Sequence, residues 1–78
     1  MSEIQILLWA ERNGAETVEI RENDTGKTGI AESCPEGIRL FYGADDGSDD
    51  KTVTTSAFNR DFTVYHIVWG DTKPKFLK

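Results

Sequence analysis

Glu22 to Gly29 reads ENDTGKTG, and its Gly26-Lys27-Thr28 is how a phosphate-binding loop closes. That chemistry needs a first glycine five positions before the Gly of Gly-Lys-Thr, so that successive backbone amides can curl round the phosphate. It also needs a strand before the loop and a helix after it. Position 21 is Arg, and Thr28 is succeeded by Gly-Ile-Ala-Glu-Ser-Cys-Pro, too short and too broken for that helix. The stretch is therefore expected to be a turn between strands, with Asn23 and Asp24 starting the bend and Gly26 or Gly29 supplying the positive φ.

A second concentration of functional atoms is DDGSDD, Asp45 to Asp50. Calcium takes six to eight oxygens, and Asp45, Asp46, Asp49 and Asp50 with Ser48 offer enough of them on a flexible loop. The spacing departs from an EF-hand, whose ligands alternate and end in a Glu at position twelve; here that position is Ser56. The loop reads first as a solvated connection whose carboxylates are free to meet Lys and Arg of a partner. Cys34 and His66, the one thiol and the one imidazole, could form a nucleophile and base. They lie in unrelated segments, and the plainer expectation is an inert cysteine beside Pro35 and a partly buried ring satisfied by one hydrogen bond.

Trp9, Phe41, Tyr65 and Trp69 could stack on the bases of single-stranded nucleic acid. Stacking platforms come with basic grooves, whereas Glu11, Glu19 and Asp71 are the neighbours here. Most of these rings are expected in the core or at a subunit interface.

The elements that carry these residues read as strands. Ile4, Ile6 and Leu8 alternate with Gln5, Leu7 and Trp9, and Val18 and Ile20 alternate with Glu19 and Arg21. Asn13-Gly14 between them is a hairpin signal. A three-residue loop with Gly14 in a bulge would pair Ile6 with Ile20 and Leu8 with Val18. A further strand is expected at Lys27 to Ser33, then a turn at Cys34-Pro35-Glu36-Gly37, then a strand with Ile38, Leu40 and Tyr42 on one face. Phe62 to Trp69 is apolar on both faces, which predicts a central strand with Val64 and Val68 buried beside Ile20 and Leu40. The resulting fold class is all-β, a five- to six-stranded antiparallel barrel or sandwich. The alternative is α+β with one short helix, drawn from Thr55 to Asp61 or from Trp9 to Glu19, and opposed by Gly14 and the β-branched residues.

At 78 residues the chain is one small domain, residues 1–70, followed by a short basic tail, 71–78. A domain of this size buries only about 60% of its unfolded surface, so deep water-excluding sites are hard to build. One cysteine excludes an internal disulfide and a cysteine-based zinc cluster and favours a reducing compartment. The apolar run Ile6 to Ala10 is too short for a signal-peptide core or a membrane span. A cytoplasmic protein without membrane contact is the expectation.

Charge is uneven: residues 1–50 hold twelve acidic and four basic side chains, and residues 51–78 hold two and five. Direct nucleic-acid binding needs clustered Lys and Arg and is not expected. No enzyme and no cofactor is expected either. The sequence points instead to a protein-interaction module whose acidic surface docks on a basic protein, as an inhibitor, adaptor or nucleic-acid mimic, through Asp45, Asp46, Asp49, Asp50, Trp9 and Trp69. Two alternatives stand beside it: a calcium-stabilised β domain, and a small-ligand carrier or minimal enzyme with a pocket near Cys34 and His66. A homodimer is left open.

Overall fold

The computed structural model describes residues 1–43 and 47–70. Its elements run α1 (Glu3–Arg12), β1 (Thr17–Glu22), β2 (Thr28–Cys34), β3 (Gly37–Phe41), β4 (Lys51–Val53), α2 (Thr55–Asp61) and β5 (Phe62–Val68). The five strands form one antiparallel sheet in the order β4-β3-β2-β1-β5. The protein is thus mostly β, and its sheet is not closed into a barrel. Both helices pack on one face, and no described element covers the other.

The first expected strand is a helix. Ser2 caps it: its Oγ accepts from the Gln5 N–H, while the Gln5 side chain accepts from the Ser2 N–H at 2.9 Å, a reciprocal capping box. Ile4-Gln5-Ile6-Leu7-Leu8-Trp9-Ala10 satisfies a period of 3.6 as well as one of 2, and Leu7 and Ala10 are its buried residues. Asn13-Gly14 is the end of this helix and not a hairpin. Gly14 (φ +88°) donates to the Glu11 carbonyl and Ala15 to that of Ala10, the paired bonds of a Schellman motif. Ile20 accordingly pairs with Gly29 and Val64, and Val18 with Ala31 and Ile67, so the expected partners Ile6 and Leu8 are replaced.

Thr55–Asp61, the segment of the rival reading, is also helical. Thr54 Oγ1 accepts from the Ala57 N–H at 3.1 Å, and the helix buries one residue, Phe58, against Phe62 with ring centroids 5.6 Å apart. With a single anchor it carries no periodicity, and the β-branched residues leading into it point away from a helix. It carries the chain from β4 at one edge of the sheet to β5 at the other, and Asn59 accepts from the Ile4 N–H at 2.7 Å.

β5 is an edge strand, not the central one. Its register slips by one residue opposite Glu19 and Ile20: Ile20 pairs with Val64 but Glu19 with His66, leaving Tyr65 as a bulge. The bulge exchanges the faces. Phe62, Val64, Ile67 and Trp69 meet the core, while His66 and Val68 turn to the open face. Val68 therefore leaves the predicted core and Ile67 takes its place. The core itself is Leu7, Ala10, Val18, Ile20, Ala31, Ile38, Leu40, Phe58 and Phe62, each at most 3% exposed.

Candidate interaction surfaces

Glu22 to Lys27 is the β1–β2 turn that the failed phosphate-loop pattern predicts. Gly26 (φ +74°) donates to the Glu22 carbonyl at 2.8 Å, the Glu22 N–H donates to the Lys27 carbonyl, and the Lys27 N–H to Thr25 Oγ1. These three amides are spent inside the turn, and that of Asn23 donates to the Asp61 carbonyl at 2.8 Å, so none of the four turns to an anion. Lys27 instead lies 4.4 Å from the centre of the Tyr42 ring, and Lys51 approaches the same ring at 5.8 Å. Lys51 also bonds Glu22 at 3.2 Å, which first of all holds that carboxyl below the usual carboxylate range against its partial burial. Tyr42 donates to Glu22, and burial, followed by that carboxylate, pushes its hydroxyl up to about 12. Contact between Lys51 of β4 and Glu22 of β1 shows how strongly the sheet curls at this end.

The acidic side chains do different work, and Glu16, Glu32 and Glu36 have no Lys or Arg partner within 4 Å among the described residues. Three belong to the architecture: Glu3 accepts from the Val64 N–H at 2.6 Å, Glu11 accepts from both the N–H and the hydroxyl of Ser33 at 2.9 and 2.6 Å, and Glu22 is held as above. Asp24, Asp49 and Asp50 have no Lys or Arg partner among the described residues. Asp24 lies in the β1–β2 turn. Asp49 and Asp50 lie in the β3–β4 loop, at the same end of the sheet, where the Asp50 N–H closes a turn on the Gly47 carbonyl at 3.0 Å. Asp45 and Asp46 lie outside the described residues, as does the tail 71–78. Among the described residues no three His, Cys, Asp or Glu side chains gather as a metal site.

Trp9 and Trp69 come together, though not at that end. Trp9 sits on α1 and Trp69 directly follows β5, and the rings meet edge to face with centroids 5.6 Å apart. Both pack against the core. Because β5 runs from the loop end to the opposite end of the sheet, the tryptophans are separated from Asp49 and Asp50 by the length of the sheet.

Cys34 and His66 are also apart. Cys34 ends β2 and lines a depression of about 350 Å³ with Ile4, Leu8, Pro35, Ile38 and Thr55, and His66 is not in its wall. His66 stands opposite Glu19, which stands opposite Ile30. Cys34 is thus four residues, or about 13 Å, further along and two strands away.

Sequence reasoning did not single out the open face of the sheet. Phe41, Ile30, Glu19 and His66 run across it as one row of cross-strand neighbours. Ile30 is 38% and Tyr65 47% exposed. Together with Phe41 they border a depression of about 250 Å³. Tyr65 donates to Glu19 at 3.0 Å, a bond that raises its pKa, and His66 Nδ1 lies 3.4 Å from the other Glu19 oxygen. Arg39 stands over the Phe41 ring at 5.3 Å and opposite Glu32. Period-two counting on β2 and β3 places Ile30 and Phe41 on one face; only knowledge that α1 is a helix shows that nothing in the described chain covers them. No described helix is long and apolar enough to cross a membrane. No known protein family, curated protein or solved structure matches the chain.

Proposed function

We propose that this protein is a non-enzymatic interaction module that docks the loop end of its sheet on a basic protein. The observation that carries the reading is the gathering of three aspartates at one end of the sheet. Glu3, Glu11 and Glu22 are engaged in holding helix to sheet and strand to strand, whereas Asp24, Asp49 and Asp50 share one end without a cationic partner among the described residues. Unpaired carboxylates on neighbouring loops project a negative field that speeds encounter with a basic surface. A binding role also suits the separation of Cys34 from His66, the one thiol and the one imidazole of the chain.

The test is a triple substitution, Asp24→Asn, Asp49→Asn and Asp50→Asn. Asp24, Asp49 and Asp50 form no ion pair among the described residues that the substitutions would break, so the melting temperature should stay that of the parent. Association with a basic protein recovered by affinity capture should slow by about tenfold at low salt and lose most of its salt dependence. Equal association rates for parent and variant at low and high salt would sink the reading.

A further inference from the structure

The open face of the sheet offers the clearest surface for self-association. Ile30 and Tyr65 are exposed there beside Phe41, and the charged neighbours are of both signs: Glu19 and Glu32 against Arg21 and Arg39. A basic partner would meet two arginines on this face and an acidic one two glutamates. A second copy carries the same mixture, so each copy has both carboxylates and guanidinium groups to offer the other. The net charge of −5 would make two copies repel, yet this face is locally balanced and adds nothing to that repulsion. Edge-to-edge pairing is the rival route to a dimer and is obstructed. β4 has only three residues, and β5 carries the Tyr65 bulge and has its Val64 N–H taken by Glu3.

We infer that the protein forms a two-fold homodimer by packing the open faces of two sheets against each other around Ile30, Phe41 and Tyr65. Face-to-face packing of sheets about 10 Å apart buries such side chains from both sides, and isologous dimers are the commonest closed assembly.

Sedimentation of the full chain over a wide concentration range should show the monomer mass doubling as concentration rises. On dilution, NMR shifts should move at Ile30, Phe41 and Tyr65. Two variants then test the complementarity. Arg21→Glu with Arg39→Glu makes the face wholly acidic, and Glu19→Lys with Glu32→Lys makes it wholly basic. Each should be monomeric alone, and an equimolar mixture should recover the dimer mass with an affinity that falls as salt is added. A parent that stays monomeric at every concentration overturns the inference, including one that associates only with another protein. So do dilution shifts confined to β5 or the helices, and variants that dimerise alone as the parent does. A mixture that stays monomeric while the parent dimerises overturns it as well.

Discussion

Glu11 shows what an acidic residue can be used for in a small domain. β1 begins at Thr17, so the Ser33 N–H of β2 has run past the end of its neighbouring strand, and the Glu11 carboxylate takes that bond together with the Ser33 hydroxyl. Glu3 does the same for Val64 at the sheet edge. Neither role is legible from residue type, because a glutamate that caps a strand and one that faces water look alike in a sequence. Tyr42 makes the same point in pH terms. Its hydroxyl is pushed up to about 12 from 10.0, first by burial and then by Glu22. The folded protein thus keeps a proton that the unfolded chain gives up earlier, so the stabilisation is complete below pH 10 and disappears as pH rises through about 12. Urea denaturation across that interval should show the parent losing stability with pH, and Tyr42→Phe should remove that part of the slope. Identical slopes in the two proteins would refute the assignment.

At the scale of elements, two segments depart from the roles their patterns suggest. The run Ile4 to Ala10 is apolar enough to satisfy either period, and the deciding signals are short: Ser2 with Gln5 at one end and Asn13-Gly14 at the other. Asn13-Gly14 serves a hairpin and a helix end equally well, since both need a left-handed residue. β5 misleads for a different reason. Apolar residues on both its faces suggest burial on both, but the bulge at Tyr65 sends Val68 outward and Ile67 inward. Ile67→Asp should therefore cost about 3 kcal/mol or more by bringing a charge against the core, whereas Val68→Asp should cost less than about 1 kcal/mol. Chemical denaturation at low protein concentration separates the two, and equal losses would remove the bulge from the account. The β1–β2 turn, the β2–β3 turn and the alternation of β1 and β3 were legible, because Gly26, Pro35-Glu36-Gly37 and clean period-two burial act locally.

Across the whole molecule, β1, β2 and β3 are joined by tight turns, while β1 meets β5 only after the chain has passed through β4 and crossed the sheet by α2. Bringing those distant partners together costs more loop entropy than forming the adjacent hairpins. The hairpins should form before the folding barrier and the β1–β5 pair after it. Leu40→Ala should then slow refolding, and Ile67→Val should mainly accelerate unfolding; stopped-flow kinetics that reverse this assignment would refute the order. The same strand order, which no local pattern announces, bears on how the protein is made. Translation produces β1 early and β5 last among the strands, so a nascent chain carries β1 with one naked edge, beside a core face still lacking Phe58 and Phe62. Until residues 62–68 emerge, that edge is open to pairing with any extended segment nearby, which makes this interval the one in which mispairing is easiest.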